Sequence, residues 1–311
     1  MFSIEEQRVA DGVIQYRLEH LTGLRCTISP ARLKRRLNGR GTGFTPPPAR
    51  CPFCPETLES MTPVFEDGKR IHIGESVTFP NLYPYAPRHT VTVITPAHEV
   101  QTFPVQQLVD ALSGQVQSLH GHQGYPSINW NYLPSAGASI AHPHLQGLVE
   151  RRAPPLLQMY LDAGERYRDR HRRTYWEALR ERELSSDRYL FGNEIVWTAH
   201  AVPLGEQEVR ALLPIAKIDD LGPYLDLFAA GMLGVISLYA ELGTSAFNAS
   251  LFFDRGGRDR GFFAFCSMIA RINPNIHSAS DTAFMERLHL NPVILTLPED
   301  LGRYSRQTPG V

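Results

Sequence analysis

"SIAHPHLQGLVE", residues 139–150, sets His142 and His144 on either side of a proline, with Gln146 two positions further on. Such a pair fits one side of a metal site, a nucleophile beside its helper, or two histidines on the polar face of a strand. At i, i+2 on a strand both rings face the same side. Proline between them lacks a ladder donor, so it marks an edge or a bulge. The rest of the chain has to decide what the two rings do.

Cysteine offers the first clue. The chain holds four, Cys26, Cys51, Cys54 and Cys266, and "CPFCPE" at 51–56 is a C-x-x-C. A turn of that kind can present two thiolates to one zinc, and the same spacing also serves redox pairs or pairs that bind nothing. A zinc ribbon needs a second C-x-x-C, which is missing here, so histidines must complete any metal site. Candidates are His98, His142 and the pair His120 and His122. The last two flank Gly121 at the end of an amphipathic helix, where cationic side chains suit the dipole without any metal. One C-x-x-C and two isolated cysteines suit a reducing cytosol better than a disulfide framework, so a cytoplasmic location is expected.

Bulk properties narrow the class. At 311 residues the chain is long enough for two domains or one large one. With 42% hydrophobic and 20% charged residues it should fold rather than stay disordered. Thirty-one Lys+Arg against 32 Asp+Glu give a net charge of −1, so no overall basic field draws it to nucleic acid or membrane. The N-terminal "MFSIEEQRVADG" reads as no secretory signal. The longest apolar run, 227–240, falls short of the roughly 20 residues a bilayer needs and reads as a buried helix.

Along the chain, "SPARLKRR" leads into the Gly- and Pro-rich "NGRGTGFTPPPAR", an expected surface arm. Alternating β-branched residues at 90–95 predict a strand. Val105, Leu108, Leu112 and Val116 predict an amphipathic helix. "SINWNYL" and "AHPHLQGLVE" then predict two strands around the small-residue loop "PSAGAS", and 158–185 a polar helix. The second half repeats the plan: "NEIVWTAHAVP" as strand, "LGPYLDLFAAGMLGVISLYAEL" as helix, "AFNASLFFD" and "FFAFCSMIARINP" as strands. Pro96 to Asn131 is 35 residues and Pro214 to Asn248 is 34, which suggests a duplicated unit. The second copy lacks a histidine pair, so a single chemical site belongs to the first.

These motifs together resemble a known family. "HPHLQ" is similar to the H-P-H-x-Q motif of the galactose-1-phosphate uridylyltransferase branch of the histidine-triad superfamily. "SPARLKRR" resembles that family's phosphate-binding arm, "CPFCPE" its zinc turn and "TPAHEV" its third ligand segment. The resemblance implies an α+β fold of two histidine-triad-like units, each an antiparallel sheet with packed helices, the second degenerate. Units of 1–190, with both sites, and 191–311 are expected. It implies zinc on Cys51, Cys54, His98 and His142, and a catalytic set of His144, Gln146 and Ser139. Arg32, Arg35, Asn81, Asn131 and Gly137 become the substrate-binding residues. The implied activity is nucleotidyl transfer from a nucleotide-sugar through a nucleotidyl-histidine, passing UMP or AMP to a hexose 1-phosphate or phosphate. Dinucleoside polyphosphate phosphorolysis and a non-catalytic nucleotide-binding module are the alternatives, and the assembly state leaves a homodimer open.

The chain also departs from the family. Leu82 follows Asn81 where uridylyltransferases commonly have a ribose-binding aspartate, and "NLYP" resembles adenylyl-transferring relatives more closely. The family's second metal site uses histidines on the last strand, where this chain reads Met268 and Ala270. "FMERLHLNP" offers Glu286 and His289 without a convincing match.

Overall fold

Aromatic and β-branched residues alternate with small polar ones at Tyr125–Tyr132 and Phe247–Phe252, and these two segments pair antiparallel at the centre of the molecule. The structure, a computed structural model, describes residues 1–9, 12–28, 30, 51–82, 84, 86–98, 100, 102–256, 261–272 and 292–307. The first half contains β1 (Phe2–Val9), β2 (Gly12–Glu19), β3 (Arg25–Ile28), α1 (Pro55–Met61), β4 (Ile71–Ile73), β5 (Ser76–Pro80) and β6 (Arg88–Val93). It continues through α2 (Val105–Leu119), β7 (Tyr125–Tyr132), β8 (His144–Glu150), α3 (Pro155–His171) and α4 (Tyr175–Leu184). The second half holds β9 (Tyr189–Phe191), β10 (Val196–Ala199), β11 (Val209–Leu213), α5 (Leu225–Glu241), β12 (Phe247–Phe252), β13 (Ala264–Ala270), β14 (Val293–Ile294) and α6 (Pro298–Gln307).

Ten strands form one sheet in the order β4-β5-β6-β8-β7-β12-β13-β11-β10-β9. Outward from the β7–β12 seam the order is β7, β8, β6, β5 on one side and β12, β13, β11, β10 on the other. In chain order each side runs three strands, a long helix, then two strands, with β4 and β9 at the outer edges. The duplication is therefore real, and its halves meet across the seam with Asn131 paired to Asn248. Those are the two asparagines that close the 35- and 34-residue spacings.

Strand parity sorts the side chains into two faces. Ile128, Trp130, Leu145, Val149, Ala249, Leu251, Cys266 and Met268 face α2 and α5 in one continuous core. On the opposite face, Phe79, Val91 and Val93 pack under the Cys51–Cys54 turn. Further along that face, Tyr125, Leu212 and Phe265 pack under α3 and α4. Between those two apolar patches the face is polar, and it carries the candidate site.

Several expectations change. The predicted polar helix over 158–185 is two helices, because Arg172 turns left-handed at φ 57° and Thr174 starts α4 with a capping box to Glu177. Met268 and Ala270 lie in the helix-covered core, so the open face of β13 shows Phe265, Ser267 and Ile269 instead. Gly222–Glu241 spans 20 residues at mean hydropathy 1.4, long and apolar enough by those measures to cross a membrane. Its Phe228, Ala229, Met232, Val235 and Leu238 nevertheless line the sheet core.

A second sheet, β1-β2-β3-β14, pairs β3 in parallel with Val293 and Ile294 near the far end of the chain. The first strands therefore lie against the second half. The surface arm and its Arg32 and Arg35, and also Glu286 and His289, fall outside the described residues.

Candidate functional site

Pro55 at the first position of α1 fixes a helix start directly behind Cys54, which is the N-cap. The Thr57 hydroxyl donates to the carbonyls of Cys51 and Cys54, which tightens the turn. The turn sits on the open face against Val91 and Val93, beside the segment that leads into β8.

There Cys51 Sγ, Cys54 Sγ and one ring nitrogen each of His98 and His142 all lie within 4.8 Å of one another. Cys54 Sγ is 3.6 Å from His98 Nδ1 and 3.8 Å from His142 Nδ1, and Cys51 Sγ is also 3.8 Å from His142 Nδ1. Tetrahedral zinc–thiolate and zinc–imidazole bonds place such ligand atoms about 3.6 Å apart. His142 Nε2 is 2.7 Å from the Thr95 carbonyl, which only accepts, so Nε2 carries the hydrogen and Nδ1 turns a lone pair to the thiolates. Burial and the neighbouring Cys51 push the Cys54 thiol up to about 11. A divalent cation would supply the charge that keeps both thiolates deprotonated. The four residues fit a closed metal site.

His144 opens β8, and the structure corrects the strand reading of the pair here. His142 and Pro143 precede the strand, so the two rings do not share a strand face. Strand β8 is also interior, between β6 and β7. Pro143 sits at the strand entry, where its carbonyl accepts from Ile94 N–H and its ring nitrogen has no hydrogen to return. The His144 ring is 5% exposed and packs edge-on against Phe53 of the metal turn, 5.2 Å between centroids. Its Nδ1 donates to the His142 carbonyl at 2.8 Å, which leaves the lone pair on Nε2. Burial lowers its pKa against the opposing pull of that bond, so the ring is neutral near pH 7. A neutral imidazole held by its Nδ1–H is a competent nucleophile.

Gln146 follows on the same face. Its side-chain oxygen is 3.0 Å from His89 Nε2, and that nitrogen is 2.9 Å from Asn81 Nδ2. Asn131 accepts from Asn248 Nδ2 at 2.7 Å, and the same amide donates to the Ala136 carbonyl at 2.8 Å. The small-residue loop starts at Leu133, held at φ 73°, and passes through Gly137 at φ 88°. A left-handed leucine is strained backbone, and the turn fixes it with Ala136 and Ala138 N–H groups on the Leu133 carbonyl. Ser139 is exposed and makes no side-chain hydrogen bond among the described residues.

The structure thus gathers Cys51, Cys54, His98 and His142 into one cluster, with His144, Gln146, Asn81 and Asn131 beside it on one sheet face. His89, Phe53 and Asn248 were not among the sequence candidates. Phe53 lay inside the C-x-x-C, and Asn248 was marked by the repeat spacing. The parity of His89 with Val91 and Val93 gave it only a face, not its partners.

No protein-family model matches the chain. An uncharacterised protein of Archaeoglobus fulgidus is 26% identical over 268 residues, covering 83% of this chain and 81% of that protein. The crystal structure of an ADP-glucose phosphorylase from Arabidopsis thaliana with bound ADP-glucose superposes with a TM-score of 0.74 at 16% identity. That match covers 95% of this chain and 99% of the other. A structure of uridylyltransferase gives 0.70 at 17% identity, over 94% of this chain and 97% of its own. The chain therefore has the duplicated α+β fold seen in uridylyltransferase and in ADP-glucose phosphorylase, the fold that the H-P-H-x-Q resemblance implied.

Proposed function

We propose that this chain is a nucleotidyltransferase that works through His144 and holds a structural zinc on Cys51, Cys54, His98 and His142. The observation that carries this reading is the tautomer of His144. With Nδ1–H tied to the His142 carbonyl, Nε2 is the attacking atom. In the first step Nε2 forms a bond to the α-phosphorus of a nucleoside diphospho-sugar, and the bond to the bridging oxygen breaks. A sugar 1-phosphate leaves with that electron pair. The ring keeps its Nδ1 proton throughout, and the His142 carbonyl stabilises the positive charge that develops on it. In the second step an oxygen of phosphate or of a hexose 1-phosphate attacks the same phosphorus and frees Nε2.

Gln146 donates to a non-bridging oxygen, supported by the Ser139 hydroxyl, while the N–H groups of Ala136, Gly137 and Ala138 stay committed to carbonyls of the turn. Gln146 has no proton to shuttle, which favours a persistent intermediate and transfer over hydrolysis. Asn81 and Asn131 hold nucleoside and phosphate, and Arg32 and Arg35 neutralise phosphate charge. A zinc held by Cys51, Cys54, His98 and His142 would have no open position for substrate, and its role would be to brace the turn that carries Phe53 against His144. The similar structures support the reading through their names: one is an ADP-glucose phosphorylase, another a uridylyltransferase. Reduced thiolates at the zinc site fit a reducing compartment.

Intact mass measured after incubation with UDP-glucose, ADP-glucose or diadenosine tetraphosphate tests this directly. The expected result is one added nucleoside monophosphate, absent in His144→Ala while that variant keeps its zinc. A full-size adduct on His144→Ala, or none on the wild type with any of the three, overturns the reading.

A further inference from the structure

His89 is 4% exposed on β6, and the reaction described above gives it no task. In the β6–β8 register Val91 faces Gln146 and His89 faces Leu148, so His89 is the diagonal neighbour of Gln146 on the open face. One of its atoms, Nε2, meets two side-chain amides: Gln146 Oε1 at 3.0 Å and Asn81 Nδ2 at 2.9 Å. A ring nitrogen either donates one hydrogen or accepts one. It cannot donate to Gln146 and accept from Asn81 at once.

We propose that His89 is a positioning residue for the transfer reaction: its Nε2–H donates to the Gln146 side-chain oxygen and so turns the Gln146 NH2 toward the bound phosphate. The inference rests on the nucleotidyl-histidine reading, and the logic is one of donors and acceptors. Non-bridging phosphate oxygens only accept hydrogen bonds, so a useful Gln146 must present its NH2 to them. Its oxygen must then face His89, which requires the hydrogen on Nε2. A donor NH2 from Asn81 against that Nε2–H would be repulsive. The oxygen and nitrogen of an amide have the same shape, so Asn81 resolves the conflict by turning its oxygen to His89 and sharing the hydrogen. One imidazole then aims two amide NH2 groups outward at the ligand. The opposite tautomer reverses both and presents two carbonyl oxygens to an anion. Burial lowers the His89 pKa below the ordinary imidazole range, so a single hydrogen is present to be placed.

The tautomer is measurable on the wild-type protein without any turnover. Long-range 1H–15N correlation on 15N-histidine-labelled protein, with His89 assigned by its absence in His89→Gln, should show the hydrogen on Nε2. A hydrogen on Nδ1 instead overturns the proposal. The rate of adduct formation with ADP-glucose and UDP-glucose, followed by intact mass, then tests the consequence. His89→Phe fills the space without a donor and should slow adduct formation roughly 10- to 100-fold, less than the roughly 100- to 1,000-fold lost when an oxyanion donor is removed outright. The half-saturating nucleotide-sugar concentration should change far less. His89→Gln restores a donor at about the reach of Nε2 and should recover most of the rate. In a Gln146→Ala background His89→Phe should add little, because the group it aims is gone. An equal loss in both backgrounds, or a wild-type rate in His89→Phe, overturns the inference and leaves the nucleotidyl-histidine standing. A wild type that forms no adduct with either sugar overturns both.

Discussion

The two histidines of the HPH motif differ in which ring nitrogen carries the hydrogen. His142 carries it on Nε2, against the Thr95 carbonyl, and offers Nδ1 to the thiolates. His144 carries it on Nδ1, against the His142 carbonyl, and keeps Nε2 open. Backbone carbonyls that can only accept thus suit one ring to be a metal ligand and the other a nucleophile. Base selectivity is also a residue-scale question. Leu82 is 59% exposed beside Asn81 and cannot accept from ribose hydroxyls as an aspartate would. UDP- and ADP-sugars share the ribose, so the missing contact, worth about tenfold for 1.4 kcal/mol, weakens the grip on both and leaves base choice to other contacts. On the resemblance of "NLYP" to adenylyl-transferring relatives, paired labelling with UDP- and ADP-glucose should show adenine preference or little selectivity. A strong preference for UDP-glucose, with galactose 1-phosphate as acceptor, would mean that those other contacts favour uracil.

Elements hold these residues at two points. The metal turn braces the His144 ring through Phe53, with centroids 5.2 Å apart. Removal of the metal by chelation should unlock the turn and lower both stability and adduct formation. At about 2–4 °C per kcal/mol, loss of about 4 kcal/mol lowers Tm by roughly 10 °C, read by scanning calorimetry with and without added zinc. An unchanged Tm after complete metal removal speaks against a structural metal. The second point is the docking of α2 on β8. Gln115 of α2 is fully buried, donates to Thr92 at 2.8 Å and accepts from Thr90 at 3.0 Å. Gly147, directly after Gln146, leaves room for it: a Cβ there would overlap the Gln115 amide oxygen and the Thr90 hydroxyl. Gly147→Ala should cost about 1–3 kcal/mol, the range for overpacking, and displace β8 along with Gln146. Urea denaturation checks the first effect and the adduct-formation rate the second. Wild-type values in both would show that Gln115 yields freely.

Across the whole molecule, a buried charge network ties the N-terminal strands to the second half. Tyr160 and Tyr175 donate to Glu19, and Arg210 donates to Tyr160 and Glu208. Arg17 pairs with Glu299 at 2.8 Å. Burial alone would push the Glu19 carboxyl up. The His200 imidazole, the Arg210 guanidinium and the Thr22 hydroxyl outweigh it and hold the group at about 2, below the ordinary 4.5. A carboxylate lowered on folding stabilises fully above its unfolded value, and that contribution disappears as pH falls from about 4.5 towards 2. Its size is on the order of 3 kcal/mol. Melting temperature should fall steeply over that window in the wild type and more gently in Glu19→Gln. Near neutral pH that variant should start several degrees lower, because Arg210 has lost part of its counter-charge. Parallel slopes would place the acid sensitivity elsewhere.

What the sequence by itself determined was local. The HPHLQ, CPFC and TPAH segments marked the residues of the cluster, strand and helix periods marked the repeated plan, and the two spacings to Asn131 and Asn248 suggested a duplicated unit, though not that its halves pair at those residues. Each of these reads from neighbours a few positions apart, where backbone geometry ties spacing to side-chain direction. Only the tertiary structure decided which strands pair across long loops, because nothing in a strand's own pattern names its partner. The parallel pairing of Arg25–Ile28 with Val293–Ile294 is one such case. The interior place of β8, which makes Pro143 an entry point and not an edge, is another. Met268 and Ala270 fell on the covered face because a one-residue change of parity reverses every side chain of a strand. His89 meets Gln146 across 57 residues of sequence through the β6–β8 register alone, so its hydrogen bond was invisible until the sheet was assembled.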